Sequence, residues 1–119
     1  MLETYVITEN DGITTIKFLE NPSFDIVKLI IDELAKNHSY EKRLWDMSEI
    51  NFDFTTQEIK DIAAYGKQKF SNKNKMAIYT LTDLSFGEMR QFEIYREEKN
   101  KASSAVFRDK NSAIDWLNS

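Results

Sequence analysis

Apolar residues in this chain recur with two different periods, and the alternation between these periods limits the fold more than any other feature. Between residues 13 and 19, Ile16 and Phe18 alternate with Thr15 and Lys17, which is the two-residue period of a strand. The next segment places four aliphatic residues at i, i+3, i+4 and i+7, on one face of a helix. They are Val27, Ile30, Ile31 and Leu34.

Strand-like and helix-like segments follow one another in the order ββαβαβαβα. Strand patterns cover residues 5–7, 13–19, 43–47, 76–81 and 104–107, and a helix pattern follows each of the last four. Asn10-Asp11-Gly12 is a hairpin signal, so the first strand is expected to be antiparallel to the second. Strands joined through helices pair in parallel by right-handed crossovers. The sequence therefore predicts an α/β fold with a five-stranded, mostly parallel sheet and four helices.

Polar residues that cap helix N-termini predict where the last two helices begin. Asp83 and Ser85 are both candidate caps for a third helix, predicted from residue 86 to about residue 98. Asp109 or Asn111 is expected to cap the last helix, which carries Ala113, Trp116 and Leu117 at i, i+3 and i+4.

Composition predicts one folded domain and argues against two classes of partner, nucleic acids and anionic membranes. The chain has 119 residues, the size of a single domain spanning positions 1–119, and 41% of them are hydrophobic. Its net charge is −4, with charges spread along the chain, which argues against binding to nucleic acid or an anionic membrane. It has no cysteine, which excludes disulfides, thiolate metal sites and cysteine nucleophiles.

The N-terminal sequence and the length of the apolar runs predict where the protein resides. Glu3 stands where a signal peptide would carry positive charge, and no long apolar run follows it. No apolar stretch approaches the roughly 20 residues that a membrane-spanning helix needs. We therefore expect a cytoplasmic protein without a transmembrane segment.

Residue types used in catalysis are present, but their spacing separates them. His38 is the only histidine and precedes the third strand, whereas Asp46 and Ser48 lie at its far end. Because a strand rises about 3.3 Å per residue, His38 lies about 20 Å from them, too far for a Ser-His-Asp site.

The carboxylates of Asp46, Glu49 and Asp53 match no calcium-binding loop. Residues 80–85 carry no glycine, unlike phosphate-binding turns. We expect no enzyme activity, metal or cofactor.

Four polar residues follow the carboxyl ends of the third and fourth predicted strands. Asp46 and Ser48 end the third strand, and Asp83 and Arg90 follow the fourth. Open α/β sheets bind ligands outside the carboxyl ends of their strands. These four residues are therefore a candidate interaction rim, although Asp46 and Ser48 are also typical of an ordinary turn.

Two threonines at the start of the second helix are candidate phosphorylation positions. Thr55 and Glu58 form a capping-box pattern, and Thr56 comes directly after Thr55. A phosphate on either hydroxyl would lie at a helix N-terminus, where negative charge is favoured. Ordinary capping explains Thr55 equally well.

Several short motifs resemble those of a known family. Residues 46–52, followed by Thr55-Thr56, resemble the Asp-Leu-Ser-x-Val-x-Phe-x-Asp-Ser-Ser-Gly segment of anti-sigma-factor antagonists, the STAS domains. A closer resemblance is to the bacterial SpoIIAA-like proteins, also described as STAS/SEC14-like, and it covers most of the chain from residue 44 onward. Its motifs are Leu44-Trp45-Asp46, Lys75-Met76-Ala77-Ile78, Phe86-Gly87-Glu88-Met89-Arg90, Val106-Phe107 and Ala113-Ile114-Asp115-Trp116-Leu117.

The resemblance implies a fold of stacked β-α units and a non-enzymatic protein-interaction or regulatory module. In the antagonists the second serine of the loop is phosphorylated, and it corresponds to Thr56. Phe54 replaces the aspartate of that loop and Gln57 replaces its glycine, so the segment departs from what the antagonists' kinases recognise.

The SEC14-like relatives suggest a different role, that of a carrier for a small apolar ligand or lipid. Four aromatic residues are candidates to line such a pocket: Phe52, Phe54, Phe86 and Phe92. Under either role the partner is a protein or an apolar molecule. An exposed first or last strand would also support a homodimer.

Overall fold

Five strands form a single sheet in which spatial order follows chain order. The computed structural model describes residues 4–37, 41–51, 54–69, 75–96 and 104–119. The strands are β1 (Tyr5–Asn10), β2 (Ile13–Phe18), β3 (Lys42–Asp46), β4 (Lys75–Tyr79) and β5 (Ser104–Phe107). They lie in the order β1-β2-β3-β4-β5, with β1 antiparallel to β2 and all other pairs parallel. The predicted topology and antiparallel first strand are confirmed.

A two-residue turn sets the register of the β1–β2 hairpin. Asp11 and Gly12 both have positive φ angles, 52° and 79°, as a type I′ turn requires. The turn pairs Asn10 with Ile13 and, at the other end, Tyr5 with Phe18. This register directs Ile16 and Phe18 into the core and Thr15 and Lys17 to the opposite face, as the alternation predicted.

Three helices cover one face of the sheet and one short helix partly covers the other. They are α1 (Phe24–Asn37), α2 (Thr56–Lys69), α3 (Asp83–Arg96) and α4 (Lys110–Leu117). Every crossover from β2 to β5 advances by one strand in the same direction, so crossovers of one hand place α1, α2 and α3 on one face. Helix α4 packs on the other face, against β3, β4 and β5.

The sheet separates two hydrophobic cores of unequal size. The larger core lies beneath α1, α2 and α3 and includes the predicted stripe Val27, Ile30, Ile31 and Leu34. The smaller core lies beneath α4, where Ala113 and Leu117 pack on Leu44 and Ala77. Helix α4 has only eight residues, about 12 Å of length, and it leaves β1 and β2 uncovered on that face.

The helix caps agree with the sequence at two helices and differ at a third. Thr55 and Glu58 exchange the two hydrogen bonds of a capping box, at 3.0 and 3.1 Å, and Asp109 caps α4. Helix α3 begins at Asp83, earlier than the predicted residue 86. The hydroxyl of Thr82 accepts the Ser85 N–H at 3.2 Å, so Thr82 is the cap and neither Asp83 nor Ser85 is. In the described segments, no helix combines the length and apolarity that crossing a bilayer requires.

Candidate interaction site

Asp46 and Ser48 form a closed turn at the carboxyl end of β3. One carboxylate oxygen of Asp46 accepts the Ser48 N–H at 3.0 Å and the Ser48 hydroxyl at 2.6 Å. The Asp46 side chain is buried, with 4% of its surface exposed. The Met47 N–H donates to the Tyr79 carbonyl at 2.8 Å and holds this turn against β4. Asp46 therefore shapes the edge of the sheet and presents little of its own surface there.

Asp83 lies at the same edge, where its partner is Arg108 at the end of β5. The Arg108 guanidinium donates to the Asp83 carboxylate at 2.6 Å and to the Leu81 carbonyl at 2.8 Å. It also lies 5.4 Å from the centre of the Phe86 ring. Arg108 thus ties the loop after β4 to the loop after β5.

Arg90 is the remaining residue of the predicted rim, and it stands apart from the Asp83 pair. It is exposed on α3, seven residues after Asp83 in the sequence, which corresponds to about 10 Å along a helix. The structure thus brings Asp46 together with Ser48, and pairs Asp83 with Arg108. The interaction role of all four residues stays a prediction.

Exposed leucines gather at this edge of the sheet. Five large hydrophobic side chains are exposed among the described residues, and three of them belong to the edge where the parallel strands end. Leu19 follows β2 and is 42% exposed; Leu81 follows β4 and is 48% exposed; Leu84, in the first turn of α3, is 56% exposed. We call Leu19, Leu81 and Leu84 the leucine rim.

Two exposed ion pairs lie among the residues of this edge. Lys17 lies 3.3 Å from Glu49, which follows β3, so this pair falls between Leu19 and Leu81 in the strand order. The Asp83–Arg108 pair lies on the β4–β5 side. Apolar side chains bordered by polar ones are the usual anatomy of a protein–protein interface. Arg108 and the three leucines were not predicted from the sequence. The strand pattern of residues 76–81 included Leu81, and no apolar stripe was defined for the third helix, so no pattern singled them out.

Among the described strands, the order includes no reversal that would open a ligand crevice at this edge. Ligand crevices in doubly wound sheets form where the strand order reverses and neighbouring helices lie on opposite faces. Here β2 to β5 follow one another without reversal, and their three crossover helices share one face. The edge is therefore a rim of side chains and turns, which suits contact with another surface better than enclosure of a small molecule.

A groove lies on the other face of the sheet, beside α4. It has a volume of about 590 Å³ and exists because α4 leaves β1 and β2 uncovered. Its floor is partly apolar, and its wall is one side of α4. The groove extends to Leu19 of the leucine rim. The floor includes Val6, Thr8, Ile13, Thr15, Lys17, Leu19, Leu44 and Asp46, and the wall includes Lys110, Ile114 and Asn118.

Phe54 and Phe86, two of the four aromatic residues suggested for an apolar pocket, do not line this groove. Phe54 and Phe86 pack against the larger core on the opposite face of the sheet. Phe52 and the side chain of Phe92 lie outside the described residues, as do His38 and Asp53. Within the segments that the structure describes, no three histidine or acidic residues cluster in a way that could hold a metal ion.

Comparison with known proteins identifies the fold. No protein-family model matches the sequence, and no curated protein matches it significantly. The chain is similar in structure to an uncharacterized protein of the DUF3478 family from Shewanella loihica PV-4, which has a SpoIIAA-like fold. The two are 17% identical with a TM-score of 0.57, and the match covers 95% of this chain and 91% of the other. The expected SpoIIAA-like fold is confirmed.

Proposed function

We propose that this protein is a non-enzymatic interaction module whose partner is another protein, bound at the leucine rim. The observation that carries the proposal is that Leu19, Leu81 and Leu84 are all exposed at one edge of the sheet, which also carries two exposed ion pairs. These leucines are about half exposed, so burying one of them against a partner would contribute about 0.7–1.5 kcal/mol to binding, half the value for a fully exposed side chain. Three such contacts together would be a substantial part of the affinity of a modest interface.

The polar groups at the same edge support binding over catalysis. The Asp46 carboxylate is buried and accepts two hydrogen bonds from Ser48, and the Asp83 carboxylate accepts one from Arg108. These contacts hold turns in place. A general acid or base has to reach a substrate atom within about 3 Å, and the buried carboxylate of Asp46 is poorly placed for that.

A regulatory version of this function places a phosphate on Thr56 and not on Thr55. The Thr55 hydroxyl accepts the Glu58 N–H at 3.1 Å, and the Glu58 carboxylate lies 3.0 Å from the Thr55 nitrogen. A phosphate on Thr55 would face that carboxylate and break the capping box. Thr56 is exposed in the first turn of α2, where a phosphate is favoured by the helix N-terminus. Intact-mass and fragment analysis of protein from its source cells tests this version; an unmodified Thr56 in all growth states contradicts it.

Site-specific photocrosslinking tests the main proposal. A photoreactive phenylalanine analogue replaces Leu84 in one variant and Leu29 in a control. Leu29 is a matched control because it is 60% exposed on α1, away from the rim. We expect position 84 to capture one defined protein in source cells, which mass spectrometry identifies and which binds again when both proteins are purified. Equal capture at position 29, or none at position 84, contradicts the proposal.

The groove favours a second candidate function, the binding of a small apolar molecule. Its volume of about 590 Å³ falls in the range of small-molecule sites, and Val6 and Leu19 give its lining an accessible apolar part. Native mass spectrometry of freshly purified protein would then show a bound molecule that a Val6→Asp variant loses. If repeated preparations show only the mass of the protein without a ligand, this alternative is contradicted. The proposal for the leucine rim is not affected by that result.

A further inference from the structure

Strand β1 lies at the edge of the sheet and directs alternate backbone groups away from it. The Leu19 N–H donates to the Thr4 carbonyl at 2.8 Å, so Thr4 and Leu19 are a hydrogen-bonded pair. Bonded and non-bonded pairs alternate along an antiparallel ladder. Val6 and Thr8 therefore bond to β2, whereas Tyr5 and Ile7 point their N–H and C=O groups to the open edge.

The open edge of β1 has few of the features that prevent edge strands of different chains from pairing. Proteins protect edge strands with charged side chains, especially lysine, with proline or with bulges. The β1 sequence, Tyr-Val-Ile-Thr-Glu-Asn, carries one charge, at Glu9, contains no proline or lysine, and pairs with β2 without a bulge. Tyr5 and Ile7 are half-buried and pack against the larger core, so their remaining apolar surface lies at the edge.

We propose that two copies of this chain pair β1 with β1 in antiparallel fashion, around a two-fold axis through Ile7, and so join two five-stranded sheets into one. Alternate residues of β1 direct their backbone N–H and C=O groups to the open edge. Two copies therefore form hydrogen bonds only in a register that places these residues opposite one another. With the axis at Ile7, residues 5–9 of one copy pair with residues 9–5 of the other. Every other two-fold register pairs fewer residues of β1 or leaves Tyr5 outside the paired segment.

Side chains agree with this register. Ile7 lies beside its own copy on the helix-covered face, which continues the larger core across the interface. Tyr5 of each copy lies opposite Glu9 of the other, so the two Glu9 carboxylates stay about 13 Å apart along the strand. A closed two-fold dimer also removes the open edge on both copies.

The absence of cysteine from the chain makes the register directly testable by disulfide formation. Residues of a directly opposed pair have Cα atoms about 5.5 Å apart or closer, within disulfide range, whereas diagonal pairs are too distant. We expect Ile7→Cys to crosslink to itself rapidly under mild oxidation. Thr8→Cys and Val6→Cys should crosslink to each other when mixed and poorly to themselves. The Leu29→Cys variant is the control, and it gives the rate of crosslinking by random collision.

Sedimentation equilibrium tests the dimer without oxidation. The chain mass is 14.0 kDa, and we expect the unmodified protein to sediment with twice that mass. Tyr5→Pro removes the outward N–H of residue 5 and should yield monomer, whereas Tyr5→Ala loses the same side chain, keeps the N–H and should remain dimeric. The crosslinking pattern stands as the second measurement if Tyr5→Pro fails to fold.

Two results would overturn the dimer. One is a monomeric wild-type protein at about 100 μM; the other is an Ile7→Cys variant that crosslinks no faster than Leu29→Cys. The dimer depends on the backbone of β1 and not on the leucine rim. A monomeric protein that binds its partner at Leu84 would contradict this inference and leave the proposed function standing.

Discussion

Thr14 and Ser104 carry hydroxyl groups that are buried without a hydrogen-bond partner in the described part of the chain. They belong to one row of residues in register across the sheet, Thr14, Arg43, Met76 and Ser104. Thr14 is 0% exposed and Ser104 is 1% exposed. A buried hydroxyl without a partner costs stability, because the water that it bonded in the unfolded chain is not replaced.

Replacing Thr14 by valine should therefore stabilise the protein. Valine has nearly the shape of threonine and no hydroxyl to desolvate, and we expect the free energy of unfolding to rise by about 1 kcal/mol. Urea denaturation measures the change. Thr15→Val is the control, because Thr15 is only half-buried on the other face and should change stability little. Destabilisation by Thr14→Val would contradict the assignment of an unpartnered hydroxyl.

Tyr65 links α2 to α1 and makes the free energy of unfolding depend on pH in the alkaline range. Its hydroxyl donates to the Asp32 carboxylate, and this hydrogen bond raises the pKa of Tyr65 above its usual value of 10.0. Burial and the Glu33 carboxylate raise the pKa of Tyr5 in the same direction. The folded state then keeps these protons at a pH where the unfolded chain has released them.

The free energy of unfolding should consequently fall as the pH rises above 10. The unfolded state binds fewer protons than the folded state in that range, so the slope of stability against pH is negative. Tyr65→Phe removes one contributing group and should make the fall between pH 9 and pH 11 shallower. Urea denaturation at both pH values measures it. An unchanged slope in Tyr65→Phe would contradict the role given to the Asp32 contact.

At the scale of helices and strands, the elements predicted best are those that one side-chain period defines. The alternation at Ile16 and Phe18 gave β2, and the stripe from Val27 to Leu34 gave α1, because each pattern suits only one backbone geometry. The start of α3 was wrong by three residues. Thr82, Asp83 and Ser85 are all residue types that cap helices, and only the hydrogen bond to the Thr82 hydroxyl distinguishes them.

The candidate site was less predictable than the elements, for a physical reason. The sequence places Asp46 at the end of a strand but does not reveal that its carboxylate turns back to Ser48 and is buried. Leu81 and Leu84 become informative only once the sheet shows that they share an edge with Leu19. Such neighbours are set by tertiary packing, which a single sequence does not record.

The capping box of α2 gives a prediction at the same scale. Thr55→Ala removes the hydroxyl that accepts the Glu58 N–H, and we expect a loss of about 1 kcal/mol in the free energy of unfolding. Thr56→Ala is the matched control, because Thr56 is exposed in the first turn and alanine favours helices. Chemical denaturation compares the two variants. Equal losses would contradict the assignment of Thr55 as the cap.

At the scale of the whole molecule, the order of the strands separates three surfaces with different properties. Helices α1, α2 and α3 share one face, and α4 covers only part of the other, which leaves the groove beside β1 and β2. The carboxyl ends of the parallel strands carry the leucine rim, and β1 presents an open edge. The groove shares Leu19 with the leucine rim and Val6 with β1, so substitutions outside these shared positions, such as Leu84→Glu, test one surface at a time.

The affinity of purified protein for the partner captured at position 84 tests the leucine rim most directly. Leu84→Glu places a charge where an apolar anchor is expected, and isothermal titration calorimetry should show binding weakened by about tenfold or more, equivalent to about 1.4 kcal/mol. Leu29→Glu makes the same change on α1 and should leave the affinity within about twofold of wild type, with both variants folded by circular dichroism. Equal affinities for the two variants would contradict a partner-binding role for the leucine rim.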